Sequence, residues 1–165
     1  SIGKRAFENL HSLKSITLPN GINRIDSEAF YQCDSLTSIT IPNTVIEIGS
    51  NAFYNCSLLS SINLPNGLKS IGDGVFYGCS FSSVTIPPSV VKIGDNPFSC
   101  CKDLSAITVD KDNELKIVEH THGNIGVSTN TMLINEEVAL IKSFNAYDLI
   151  SEVFITDMMI GVYNL

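Results

Sequence analysis

Five cysteines have the widest chemical range of any residues in this sequence, because thiols can form disulfides, bind zinc or act as nucleophiles. Four of them recur along the chain, at Cys33, Cys56, Cys79 and Cys101, and Cys100 directly precedes the last. The paired Cys-x-x-Cys spacings that zinc sites use are absent, and no motif pairs a cysteine with a histidine. The regular spacing is therefore the feature that needs a structural explanation.

Histidines offer a second possible chemistry. Glu119-His120-Thr121-His122 contains a His-x-His pair, and alternate residues of a strand would place both rings on one side, where they could hold a metal. No third ligand is marked, so the alternative is two solvated histidines. His11 is expected in a surface loop. We predict no metal and no other cofactor.

The sequence lacks the motifs of common catalytic sites. It contains no Gly-x-Ser-x-Gly elbow and no glycine-rich phosphate-binding loop, so we do not expect an enzyme. Ten basic and 17 acidic residues give a net charge of −7, which argues against a nucleic-acid partner. A hydrophobic content of 44% fills a core in a chain of 165 residues, but no apolar run reaches the roughly 18 residues of a membrane span.

An internal repeat organises these residues. Phenylalanines recur at spacings of 23, 23, 23 and 22 residues, at Phe7, Phe30, Phe53, Phe76 and Phe98. A cysteine follows each of the last four by three residues, and leucine, isoleucine and proline positions recur in the same register. One residue is deleted between Cys79 and Val84. A fixed period of this length is the signature of a repeat architecture.

One unit shows the elements that position the cysteines. Ile39 and Ile41 share one face of an extended segment, which predicts a short strand that Pro42 ends. Apolar side chains then return inward before Gly49 permits a bend. The segment 50–56 has a serine ahead of an i, i+3 apolar pair, which predicts one helical turn or a 3₁₀ turn.

A unit of about 23 residues cannot enclose its own apolar side chains, so neighbouring units must stack. Each repeated position then becomes a ladder, with cysteines about 4.8 Å apart. That distance alone would permit disulfides. Side chains in register point in parallel, however, and the number of cysteines is odd, so we predict a ladder of reduced thiols that fill the core. Cys100 is the candidate for an exposed thiol.

The motif Leu-x-x-Ile-x-Ile-Pro-x-x-Val-x-x-Ile-Gly-x-x-Ala-Phe-x-x-Cys, intact from Leu36 to Cys56, closely resembles the BspA-type leucine-rich repeat. The resemblance implies an α/β-type, right-handed solenoid whose short parallel strands line a concave face used for adhesion and protein recognition. It favours a cell-surface or secreted location, while buried thiols fit a cytoplasmic protein equally well. Where the common leucine-rich repeat places Asn or Cys after the strand, this sequence has Gly21, Thr44, Gly67 and Ser89.

The resemblance divides the chain in two. Residues 1–109 hold five repeats, the first one partial, and the start in mid-repeat indicates a fragment of a longer protein. Residues 110–165 hold three basic and nine acidic residues, with degenerate repeats. We interpret this acidic segment as a divergent C-terminal cap; the alternative is a docking surface for a basic partner.

Side chains that point away from the core on the predicted strands form the candidate binding face. They are almost uncharged and rich in hydroxyl groups: Lys14, Ser15, Thr17, Thr37, Ser38, Thr40, Ser60, Ser61, Asn63, Ser82, Ser83, Thr85, Ser105 and Thr108. Such residues also suit an ordinary solvated sheet face. Tyr31, Tyr54 and Tyr77 follow the repeated phenylalanines, which predicts a second stripe, of tyrosine side chains outside the core on the convex side.

Two functions follow. The first is a non-catalytic, adhesin-like module that recognises a protein or a glycan on this face. The alternative is a structural repeat protein that forms homo-oligomers through its stack ends or its tyrosine stripe.

Overall fold

A computed structural model describes residues 1–109 and 132–135, and these residues form short parallel strands joined by turns. The nine strands of this part of the chain are β1 (Ser15–Thr17), β2 (Arg24–Ile25), β3 (Ser38–Thr40), β4 (Glu47–Ile48), β5 (Ser70–Ile71), β6 (Ser83–Ile86), β7 (Lys92–Ile93), β8 (Ala106–Val109) and β9 (Met132–Asn135). Strand pairs join residues of successive units, as Ile16 with Ile39 and Ile48 with Ile71. The predicted solenoid of stacked parallel strands is confirmed.

The units form two separate ladders. The predicted strands of the first, second, fourth and fifth units build one ladder, with the order β1-β3 and then β6-β8-β9; the strand predicted in the third unit is absent, and Asn63 makes only a single bridge there. A second ladder of two-residue strands has the order β2-β4-β5-β7. The second ladder is not predictable from the sequence pattern, because two residues are too few to show an alternation. Strand β9 lies in the segment 110–165, whose role as a cap falls otherwise outside the described residues.

A phenylalanine stack forms the centre of the core. The rings of Phe30 and Phe53 lie 5.2 Å apart at 3°, and those of Phe53 and Phe76 lie 5.7 Å apart at 9°. Phe7 and Phe98 extend the stack at its two ends. Near-parallel rings follow directly from the parallel register, since the same position in each turn adopts the same side-chain direction.

The cysteine ladder lies beside the phenylalanine stack. Cys33, Cys56, Cys79 and Cys101 are all buried, and each donates its Sγ–H to a backbone carbonyl of the preceding unit, at 3.0–3.3 Å. Burial raises the pKa of each of these thiols, and it raises that of Cys101 to about 12. The predicted core-filling ladder is confirmed.

The predicted helical or 3₁₀ turn is not confirmed, since the described residues contain no helix. Asn51 and Asn55 have φ values of 57° and 56°, and left-handed residues at this spacing break a right-handed helix. Amide donors of the segment alternate: the Tyr54 N–H bonds the carbonyl three residues back, while the Phe53 N–H bonds Val75 of the next unit. Ser50 does not cap a helix; its hydroxyl accepts the Asp73 N–H at 3.3 Å. Neighbouring turns thus compete successfully for donors that a helix would use.

Polar side chains form hydrogen bonds between some units at the turn after the strand, despite the departure from the common pattern. The Thr44 hydroxyl donates to the Ile22 carbonyl at 2.6 Å and accepts the Gly21 N–H at 3.3 Å. The Ser89 hydroxyl donates to the Leu68 carbonyl at 2.6 Å. Hydroxyl groups therefore join neighbouring units at two of the four positions.

Candidate recognition surface

The predicted binding face consists of exposed side chains on the first ladder and the residues beside it. We call these 14 residues the strand face; all are exposed except Thr108, which is half-buried: Lys14, Ser15, Thr17, Thr37, Ser38, Thr40, Ser60, Ser61, Asn63, Ser82, Ser83, Thr85, Ser105 and Thr108. The alternating strand residues between them, such as Ile39 and Val84, are buried at 7% and 2% exposure. The inward and outward alternation of each strand explains this division.

Parallel register aligns the strand face into rows that cross the units. Thr17 pairs with Thr40, and Thr40 forms a single bridge to Asn63. Further along, Thr85 pairs with Thr108. This row therefore presents a hydroxyl or amide group at every turn, about 4.8 Å apart.

Two hydroxyl groups of the strand face, beside the starts of β3 and β8, already form hydrogen bonds within the solenoid. The Thr37 hydroxyl donates to the Lys14 carbonyl at 3.1 Å, and the Ser105 hydroxyl donates to the Ser82 carbonyl at 3.1 Å. These two residues join neighbouring units, so their hydroxyl protons are less available to a partner. The rows that contain Ser38 and Thr40 make no such side-chain bond within the described residues.

A groove opens on the strand face at the interruption of the first ladder. Its volume is about 600 Å³, and its polar lining consists of Thr40, Asn43, Asn63, Asn66, Ser83 and Thr85. Pro65, Pro87 and Pro88 also line it. The groove was not predicted, although the deletion between Cys79 and Val84 marks the place where two units differ.

Charge on the strand face is confined to Lys14, while ion pairs concentrate around the early turns of the second ladder. Arg24 contacts Asp26 at 2.6 Å and Glu47 at 3.7 Å, and Arg5 contacts Glu28. The bond to Arg5 lowers the pKa of the Glu28 carboxyl. His11 is exposed as predicted, with its Nδ1 3.1 Å from an Asp34 carboxylate oxygen. Electrostatic steering is therefore weak on the strand face itself.

The tyrosine stripe is an ordered stack. The rings of Tyr31 and Tyr54 lie 4.9 Å apart and those of Tyr54 and Tyr77 lie 4.5 Å apart, and all three side chains are half-buried. Cys100 is exposed, as predicted. A hydrogen bond with the Cys100 side chain is the main cause that raises the pKa of Tyr77 to about 12.

The part of the chain that the structure describes holds no group of three or more His, Cys, Asp or Glu side chains able to bind a metal. His120 and His122 lie outside that part. Within it, no helix has both the length and the apolar character needed to cross a membrane.

Stacked parallel strands, aligned side-chain ladders and an exposed strand face define a leucine-rich repeat solenoid. A family model for the BspA-type leucine-rich repeat region matches residues 1–105 and 46–156, in six copies. The chain belongs to this family. No curated protein matches it.

Solved structures of bacterial leucine-rich repeat proteins are similar. A Bacteroides ovatus protein is 27% identical with a TM-score of 0.60, over 79% of this chain and 42% of its own. A leucine-rich repeat protein of T. pallidum is 34% identical with a TM-score of 0.63, over 64% of this chain and 50% of its own. A leucine-rich cell surface protein of Faecalibacterium prausnitzii is 33% identical with a TM-score of 0.57, over 60% of this chain and 26% of its own. The match thus spans half or less of each of these relatives.

Proposed function

We propose that this solenoid is a non-catalytic module that recognises a protein partner through the strand face. The observation that supports the proposal is the alignment of exposed hydroxyl and amide groups in rows, with Lys14 as their one charged member. Such a surface offers many hydrogen bonds with little charge to desolvate. Membership of the family supports a recognition role, and the cell-surface relative supports an exported, adhesin-like one.

Arginine substitution tests the strand face. Thr40→Arg and Asn63→Arg each place a long cation on the row that Thr17, Thr40 and Asn63 form, and both sites are exposed, so the fold should be retained. Partners are first captured from source-cell and host-cell extracts and then purified for calorimetry. We expect each variant to weaken binding at least about tenfold.

Matched controls lie on exposed positions away from the strand face. Ile46→Arg and Val91→Arg replace side chains that are 48% and 52% exposed beside the second ladder. These variants should bind as the parent does. Equal affinity for the parent and both strand-face variants would reject the strand face as the binding site. If the parent binds a purified glycan and the strand-face variants lose that binding, the partner is a carbohydrate and not a protein.

Self-assembly is the second candidate function, and the tyrosine stack is the observation that favours it. Half-buried tyrosines in a continuous row are suited to an interface, since aromatic residues are enriched there. Size-exclusion chromatography with light scattering tests this candidate. A mass that rises with concentration, and falls back in Tyr54→Ser, would support it; a monomer at every concentration would reject it.

A further inference from the structure

The first ladder is interrupted between the third and fourth units. Residues 60–64 make a single bridge to the second unit, Thr40 with Asn63, and the described residues show no ladder between them and β6. Strand β6 pairs with β8 on its other side, in a register of four residue pairs. An inner strand of a parallel sheet uses backbone groups on both sides, so β6 retains N–H and C=O groups without backbone partners on the side of the third unit.

The one-residue deletion lies beside the interruption. Elsewhere at the strand entry, backbone bonds join residues 23 apart, as in Thr37 N–H to Lys14 and Ser105 N–H to Ser82. Across the deletion, the Ser80 N–H bonds Leu59 instead, only 21 residues back. Phe81 then takes the place of a leucine and packs edge-on to Phe76, with ring centroids 5.7 Å apart. The larger side chain and the shortened turn together alter how the fourth unit meets the third.

The groove at this interruption has a distinctive lining. None of its 14 lining residues is ionisable, and three are asparagines whose amides both donate and accept: Asn43, Asn63 and Asn66. Ile62 and Leu64 lie beneath at 8% and 9% exposure. A charged segment would lose hydration here without gaining a charged partner. An uncharged, hydrogen-bonding occupant fits this lining.

We propose that the groove binds an extended, uncharged peptide segment of a protein partner, which adds as a strand along β6. The inference deepens the proposed function and rests on it. Main-chain bonds to an open strand edge supply affinity in this binding mode, and alternating side chains supply selectivity. The asparagine amides and the Ser83 and Thr85 hydroxyls lie where they can contact the side chains or backbone of the added strand.

The first experiment uses the full chain and a panel of end-blocked heptapeptides that alternate valine or isoleucine with serine, threonine or asparagine. Amide chemical shifts and hydrogen exchange are followed by NMR. We expect a peptide that shifts the amides of Ser83–Ile86 and slows their exchange at least about tenfold. Methylation of its alternate backbone nitrogens should weaken binding at least about tenfold, because it removes donors and keeps the side chains.

Three results would overturn the proposal: no peptide of the panel binds at about 1 mM, the methylated peptide binds equally well, or the shifts map elsewhere. A linear oligosaccharide run in parallel identifies a glycan site if it alone shifts these amides. Pairing with a second copy would appear as a dimer in light scattering, and a dimer that protects Ser83–Ile86 without peptide would likewise replace the peptide as occupant.

A sheet-closing variant provides the second test. Insertion of a leucine between Ser80 and Phe81, combined with Phe81→Leu, restores the turn of the third unit. The variant should lose peptide binding at least about tenfold while its circular dichroism is retained; Phe81→Leu alone is the matched control and should bind. Undiminished binding by a folded insertion variant would reject the role of the open edge.

A pair of point variants covers the case in which the insertion variant does not fold. Thr85→Arg narrows the groove, whereas Thr17→Arg lies on the strand face outside it. Thr85→Arg should abolish peptide binding and Thr17→Arg should not. If Thr17→Arg weakens the binding of a purified protein partner and Thr85→Arg does not, the proposed function stands and the groove proposal fails.

Discussion

The thiol of Cys56 lies 3.2 Å from the carbonyl oxygen of Phe30 and donates a hydrogen bond to it, across 26 residues of sequence. Both side chains are fully buried. The same bond recurs from Cys33 to Phe7 and from Cys79 to Phe53. The Phe30 carbonyl also accepts the Cys33 N–H at 3.2 Å, so the thiol of the next unit supplies a second donor to it as well as apolar volume in the core.

Thiol reactivity should distinguish Cys100 from the ladder. Cys100 is exposed, whereas the other four thiols are buried. We expect a thiol-directed disulfide reagent to modify one cysteine of five quickly in the native protein and the other four only in urea. Cys100→Ser should remove the fast reaction alone. Rapid modification of a second thiol in the folded protein would contradict the buried ladder.

Stability should fall at alkaline pH. Burial raises the pKa of the Cys56 and Cys79 thiols above the ordinary value of about 8.5 that the unfolded chain retains. Above that pH the folded state binds more protons than the unfolded state. The contribution is therefore complete below about pH 8.5 and declines as pH rises toward the folded pKa, by about 1.4 kcal/mol per pH unit for each thiol.

Urea unfolding between pH 8 and pH 10 measures this slope, with Cys79→Ala as the comparison. The variant is less stable at pH 8 because of its cavity. Its free energy of unfolding should nevertheless decline less steeply with pH than that of the parent, by the contribution of one thiol, about 1.4 kcal/mol per pH unit. Identical slopes in the parent and the variant would show that the Cys79 thiol does not contribute.

Truncation of the phenylalanine stack should destabilise the solenoid most at its centre. Phe53 is fully buried between Phe30 and Phe76, so Phe53→Ala should lower the free energy of unfolding by about 3–5 kcal/mol. Phe7→Ala should cost clearly less, since Phe7 is half-buried and stacks on one ring only. Chemical denaturation of both variants checks the order, and an equal loss would contradict a stack with one open end.

Close approach between turns makes one glycine position intolerant. A Cβ at Gly72 would lie 2.5 Å from the Ser50 backbone nitrogen, whereas a Cβ at Gly3 would meet nothing within 4 Å. Gly72→Ala should therefore lower the free energy of unfolding by about 1–3 kcal/mol or more. Gly3→Ala should leave it within about 0.5 kcal/mol. Urea midpoints measure both, and a neutral Gly72→Ala would show that the turns can separate without cost.

Much of the strand face and the core could be predicted from the spacing of residues alone. Phe30, Phe53 and Phe76 share one position of the repeat, so stacking them required only that the units repeat in register. The exposure of Thr40 and Asn63 followed from alternation along a strand. The sequence did not predict the groove, because a single deletion beside Ser80 signals a loop change and not an open strand edge.

The period, the buried ladders and the polar strand face are properties of the sequence by itself, because identical neighbours at a constant interval bury the same side chains in every turn. Tertiary structure decided the rest. The turn that carries Asn51 and Asn55 is not helical, since alternate donors bond the next unit and two residues become left-handed. The interruption of the first ladder at the third unit likewise depends on how neighbouring turns pack, and that packing is not encoded in any one unit.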